Sequence, residues 1–208
     1  MAGVIGATSG KFVLAGALLL LKGGVDGQPA RIAIAPGAPT SAVGTGVDAH
    51  GGDERTIHLR AESFRARIAA VEPQPAADAQ LRIGQDVLAA HPIAIDFARR
   101  TLELLLPGEA RAFERDATPI AVGHAADGSL SVEITQAGQP PQRALLDLGS
   151  ASGITASRLA PDASVTVGGV ALPGADVADG PRPVVGLYAF RRSRVVFDLG
   201  HDRIWVRR

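Results

Sequence analysis

The stretch Ala144-Leu145-Leu146-Asp147-Leu148-Gly149-Ser150 carries a short apolar run into an aspartate, a turn glycine and a serine. An earlier stretch, Ile32-Ala33-Ile34-Ala35-Pro36-Gly37-Ala38, follows the same plan with Ala35 in the place of the aspartate. Just upstream of each stands a similar tripeptide, Gly27-Gln28-Pro29 in one case and Gly138-Gln139-Pro140 in the other. Downstream, Ile83-Gly84 leading to Ile93-Ala94-Ile95-Asp96-Phe97 reappears as Val185-Gly186 leading to Val195-Val196-Phe197-Asp198-Leu199. Spacing within this second block has no gap, because 186 − 84 and 198 − 96 both equal 102. Most of the chain is therefore two tandem copies of one unit. Two copies are too few for a solenoid, so the pair is expected to close on itself about a pseudo-twofold axis.

Each copy reads as β structure. In Thr56-Ile57-His58-Leu59-Arg60 the apolar residues take every second place, and Ser131-Val132-Glu133-Ile134 and Val165-Thr166-Val167 behave alike. Glycine-rich turns punctuate them, at residues 22–24, 44–46, 51–53 and 168–169. The apolar run from Phe12 to Leu21 is read as a buried strand rather than a signal-peptide core. Lys22 closes it, and no small-x-small cleavage site follows before Gly23 and Gly24. Residues 107–116, Pro-Gly-Glu-Ala-Arg-Ala-Phe-Glu-Arg-Asp, break the strand pattern and are read as a linker. The expected organisation is a first lobe over 1–106, a linker over 107–117 and a second lobe over 118–208.

On these residues the sequence resembles the aspartic protease superfamily, retropepsin-like and pepsin-like, in its tandem two-lobe bacterial form. That family's signature is an apolar pair followed by Asp-Thr/Ser-Gly-Ala/Ser, with a second signature of an apolar residue and Gly opening a short helix. Asp147-Leu148-Gly149-Ser150 matches the first signature except at Leu148, where Thr or Ser is the rule, and Ile83-Gly84 and Val185-Gly186 match the second. The resemblance spans roughly residues 17 to 206 and implies an all-β fold: two pseudo-twofold-related β-barrel lobes, each with one short helix. Alone, Asp-x-Gly is a common turn, in which the aspartate binds its own backbone and glycine supplies positive φ.

Catalysis in such enzymes needs two carboxylates close enough to share one proton, one acting as base on a water while the other polarises the scissile carbonyl. Here Asp147 is the remnant of that dyad, and Ala35 stands at the partner position. The residue after each aspartate normally carries a hydroxyl that locks the two loops together, but Pro36 and Leu148 occupy those places. The expectation is a catalytically impaired protein whose cleft holds an extended peptide or protein segment, with Gly37, Gly149 and Ser150 beside Asp147 as binding residues. The rival expectation is an active endopeptidase completed by another carboxylate or by a second chain. Whether the protein is a monomer or homodimer is left open by the sequence, as is its compartment. The family's flap corresponds to residues 44–53, with His50 near the tip, though a solvated hairpin with an incidental histidine fits as well. Asp96 and Asp198 both precede turns and are read as structural, and Asp86 as a cap for its short helix.

Composition narrows the partners. Lys plus Arg and Asp plus Glu each number 21, so no net field favours nucleic acid or an anionic membrane. Cysteine is absent, which removes disulfides, thiol nucleophiles and Cys-ligated metals. His50, His58, His91, His124 and His201 lack metal-ligand spacing, so no metal and no cofactor is expected. Ser150 and Ser152 lack the G-x-S-x-G turn of a serine nucleophile.

Overall fold

The alternation read from the sequence becomes alternation in burial. Ile57 and Leu59 point into the core from the strand Glu54–Leu59, and Val132 and Ile134 do so from Leu130–Gln136, with Glu133 outward. The computed structural model describes residues 10–45, 47, 51–59, 62–76, 78–105, 107–125, 127–158 and 164–207. Its strands form three sheets. The first-half sheet runs Glu62–Arg67, Glu54–Leu59, Leu18–Val25, Gln28–Ile34, Leu81–Ile83, Ala42–Gly44, Ala70–Glu72, with Val13–Ala15 added to Leu18–Val25. The second-half sheet repeats the order with Val170–Ala171, Val165–Val167, Leu130–Gln136, Gln142–Asp147, Val184–Gly186, Ile154–Ala156, Val177–Asp179, and Gly123–His124 added to Leu130–Gln136. Both curl into half-barrels, giving two lobes related by a pseudo-twofold axis, and nearly the whole chain is β.

A third sheet, of six strands, joins the lobes. Its centre is the antiparallel pairing of Ile93–Asp96 with Arg194–Asp198, flanked by Thr101–Leu104 and Gly10–Lys11 on one side and Arg203–Arg207 and Thr118–Ala121 on the other. All four residues of Ile93–Asp96 are buried, as in strands covered on both faces. Ile93, Ile95, Val195 and Phe197 enter a continuous apolar core shared by the lobes, where Phe190 and Phe197 meet edge to face at 5.6 Å. Ala94 and Val196 face the other way, under Ala110 and Phe113.

That second cover comes from residues read as a linker: Pro107–Glu114 is an α-helix. Pro107 opens it with a preset φ, Glu109 sits in the first turn where the dipole favours an acid, and Ala110 and Phe113 share one face at i, i+3. Arg207 then lies over the Phe113 ring at 4.2 Å and donates to the Ala112 and Phe113 carbonyls at 3.1 and 2.9 Å. Charge and Pro-Gly at the start conceal a pattern too short for sequence periodicity to reveal.

Other local readings divide. The run 12–21 folds as the hairpin of Val13–Ala15 and Leu18–Val25 around Gly16 (φ +59°), with Leu19, Leu20 and Leu21 buried. The matched tripeptides occupy different places. Gln28 and Pro29 already pair with Val25 and Gly24 beyond a two-residue turn, Asp26 (φ +50°) and Gly27 (φ +81°), whereas Gly138 and its followers form a longer turn between Leu130–Gln136 and Gln142–Asp147. Asp96 accepts the Arg99 backbone N–H at 2.9 Å and Asp198 accepts His201 Nδ1 at 2.8 Å, both holding turns. Asp86 is not the helix cap; Gly84 holds that position without a side-chain bond. Its carboxylate, inside the first turn, accepts the Val87 N–H at 2.9 Å and also binds Ser41 through N–H (2.9 Å) and Oγ (2.6 Å).

Two measurements test this architecture. A Cβ on Gly84 would fall 2.6 Å from the Thr40 carbonyl and 2.7 Å from Ala38 O, against backbone that cannot move aside. Gly84→Ala is expected to lower unfolding free energy in urea by about 1–3 kcal/mol. Gly108→Ala, in the exposed first turn of the helix with open space around it, should instead raise it by up to about 1 kcal/mol. The second concerns His201, whose pKa is raised by its hydrogen bond to Asp198 and by that carboxylate's charge. Its stabilising contribution is complete below the unfolded value of about 6.5 and is lost as pH rises through the higher folded value. An NMR titration of His201 should therefore show a midpoint above the ordinary one, which Asp198→Asn moves down.

Candidate functional site

In each lobe one strand of a hairpin runs parallel to a short strand and then turns sharply. Gln142–Asp147 lies beside Val184–Gly186, pairing Asp147 with Gly186, and Gln28–Ile34 lies beside Leu81–Ile83, with the Ala35 N–H donating to Ile83 O at 2.9 Å. Two bonds of the turns match. Ser150 N–H donates to Asp147 O at 3.1 Å and Ala38 N–H to Ala35 O at 2.9 Å; Leu187 N–H then reaches Ser150 O and Gln85 N–H reaches Ala38 O, at 3.0 and 2.8 Å. Gly84 and Gly186 are glycine because each lets the following helix start directly against the loop, at Thr40 and Ser152. Ala35 thus occupies in lobe one the place Asp147 occupies in lobe two.

The loops meet at their glycines. A Cβ on Gly37 would overlap the Gly149 backbone and fall 2.7 Å from the Leu148 carbonyl carbon. No side chain fits between the chains there, so backbone touches backbone. Pro36 and Leu148 supply no hydroxyl: the Pro36 carbonyl accepts Gln85 Nε2 at 2.9 Å, and the Leu148 side chain is buried.

Asp147 is half-buried, and one carboxylate oxygen accepts the Gly149 N–H at 3.1 Å. Among the described residues no cation pairs with it. Ala35 is buried. Of the other residues expected to bind, Gly37 lines hollows on both sides of the loop contact and Gly149 lines one, whereas Ser150 lines neither. Its Oγ donates to Ser152 Oγ at 2.9 Å.

The hollow on the Asp147 side has a volume of about 320 Å³ and is bounded by Gln85, the hairpin Asp127-Gly128-Ser129 and Leu145. Asp127 Oδ1 accepts the Ser129 N–H and Oγ–H at 2.9 and 2.6 Å, which holds its pKa below the usual carboxylate value. The hollow on the Ala35 side measures about 350 Å³ and is bounded by Ala17, Leu18, Ala38, Pro75 and Ala76. Its hairpin is fastened from the other lobe, where Tyr188 Oη donates to Gly16 O at 3.1 Å.

The flap expectation falls partly on undescribed ground: His50 lies outside the described residues. Of residues 44–53, those described line neither hollow, and Gly52 and Asp53 instead pair with Ile68 at 2.8 and 3.0 Å. Sequence reading missed Asp127, Gln85, Pro75 and Ala76. The first had a readable signal, since Gly16-Ala17-Leu18 and Gly128-Ser129-Leu130 both begin 19 residues before the loop position (35 − 16 and 147 − 128).

No family model and no curated protein matches the chain. Solved structures do. The aspartic proteinase from Irpex lacteus aligns with a TM-score of 0.63 at 9% identity, covering 97% of this chain and 97% of that one. Basic 7S globulin from soybean aligns with a TM-score of 0.58 at 10% identity, covering 95% of this chain and 93% of the globulin. At such identities the likeness is one of fold, and the chain has the two-lobe architecture of pepsin-like aspartic proteinases.

Proposed function

We propose that this chain is a catalytically impaired aspartic-protease-like protein that holds an extended peptide in the cleft between its lobes. The observation that carries the reading is Ala35, a buried methyl group on the loop equivalent to that of Asp147. Two carboxylates facing each other there would share a proton and supply both base and acid. One carboxylate with a methyl group at the equivalent position of the other lobe retains a base without the electrophile, and losing an acid of this kind costs roughly two to four orders of magnitude in rate. In retropepsin terms the first motif, Ala35-Pro36-Gly37-Ala38, is degenerate and the second, Asp147-Leu148-Gly149-Ser150, is the remnant.

Peptide binding is supported by the hollows that flank the loop contact. An extended segment laid across Gly37 and Gly149 would find room for side chains on either side and Asp147 as an acceptor. Ser150 contributes to loop shape in this reading rather than to ligand contact. The rival is a working endopeptidase, favoured by one observation: Asp127 shares the Asp147 hollow. Its Oδ1 is committed to its own hairpin, on the same lobe as Asp147, rather than facing it from the other lobe.

Mass spectrometry of an unfolded peptide library incubated with the protein from about pH 3 to 7, the range over which carboxylates titrate, separates the two. The expected result is no cleavage above an Asp147→Ala control, together with saturable peptide binding that weakens severalfold in that variant. Cleavage that vanishes in Asp147→Ala would establish the endopeptidase. Its loss in Asp127→Asn would then identify the second acid, and a second-order dependence on protein concentration would point to a second chain.

A further inference from the structure

We infer that the cleft is sided, taking a peptide that places a lysine or arginine side chain in the Asp127/Asp147 hollow and small apolar side chains in the hollow beside Ala35. The inference rests on the peptide-binding reading above and specifies its ligand.

The two hollows stand at equivalent places, yet their chemistry differs. On one side the lining carries two carboxylates, Asp127 and Asp147, and no lysine, arginine or histidine. Asp147 has no cationic partner among the described residues, and Asp127, itself exposed, uses Oδ1 in its bonds to Ser129. Ser129 also keeps Asp127 ionised further into acid than an ordinary carboxylate. On the other side the hairpin contributes Ala17 and Leu18, the counterparts of Ser129 and Leu130, while the counterpart of Asp127 is Ala15, and the lining is completed by Ala38, Pro75 and Ala76. The single charged residue there, Arg82, is already neutralised: Glu72 takes both its terminal nitrogens at 2.9 Å, and the Pro75 carbonyl accepts one at 2.7 Å. A cation entering that hollow would lose water without gaining an anion, whereas one entering the first finds two.

Charge complementarity therefore selects the occupant and gives it a direction, since a peptide laid the opposite way would put its basic side chain among alanines. The lysine stem suits this hollow as well, because the exposed Leu145 offers apolar surface to the methylenes while the ammonium reaches the acids. The chain's overall balance of 21 basic and 21 acidic residues makes this a local preference rather than a general attraction for cations.

The test uses the intact protein and fluorescein-labelled octapeptides of alanine and valine, in which each position in turn is lysine, norleucine or glutamate, read by fluorescence anisotropy. Norleucine matches the lysine stem without its charge. The expected result is a lysine-over-norleucine preference of roughly fivefold at one position, the size of a good exposed ion pair, shrinking as salt is raised. Asp127→Asn should reduce that ratio toward one, and Asp127→Lys should transfer the preference to glutamate at the same position; circular dichroism checks that both variants fold. Binding in which lysine and norleucine are equal at every position, or a preference unmoved by Asp127→Lys, would overturn the sidedness and leave the peptide cleft standing. Failure of every peptide to bind would remove the cleft reading itself, and the sidedness with it.

Discussion

The antiparallel pairing of Ile93–Asp96 with Arg194–Asp198 is the constraint on which the rest of the molecule depends. Its register places Ala94 opposite Val196, which are equivalent positions in the two copies, so the local twofold runs through that one pair. The Gly37–Gly149 contact is a second meeting of equivalents. An axis fixed at two points leaves the lobes little freedom to rotate, and the cleft owes its shape to this. It also explains why the helix Pro107–Glu114 exists: a sheet central to two lobes is buried on one face by their joint core, and something must cover the other.

Symmetry of backbone and asymmetry of side chains coexist at the site. The loops repeat two of each other's hydrogen bonds, and the glycines that permit close approach recur in both, because backbone geometry tolerates no alternative there. Side chains face no such demand. Ala35 against Asp147, and Ala17-Leu18 against Ser129-Leu130, show two copies of one frame carrying different chemistry, which is how a fold comes to host more than one activity.

The sequence made the frame legible because the frame rests on spacing. Gly84 and Gly186, with Asp96 and Asp198, recur at one interval, and the strand-to-loop transitions at Ala35 and Asp147 have recognisable apolar approaches. What escaped depends on tertiary partners. The helix Pro107–Glu114 is two turns long and needs Arg207 and the sheet beneath it. Asp86 binds Ser41, 45 residues away, and no local rule for caps could anticipate that. The tripeptides at Gly27 and Gly138 look alike but fall on either side of a strand boundary, since turn length is set by dihedral demands that composition only suggests. Pro75 and Ala76 reach the cleft through a loop whose course is invisible in hydrophobic pattern.

The central pairing also has a bearing on how the molecule comes into being. Hairpins such as Leu18–Val25 with Gln28–Ile34 close across a turn of two residues, whereas Ile93 and its partner Phe197 are separated in sequence by the whole second lobe. Contacts of such long sequence separation carry a large loop-closure entropy and are slow to form. The lobes can acquire their local hairpins early, but the cleft acquires its shape last, in the step that joins the two central strands. A newly made chain therefore passes through a stage with a nearly complete first lobe and an exposed edge at Ile93–Asp96, the strand best suited to pair with the wrong partner.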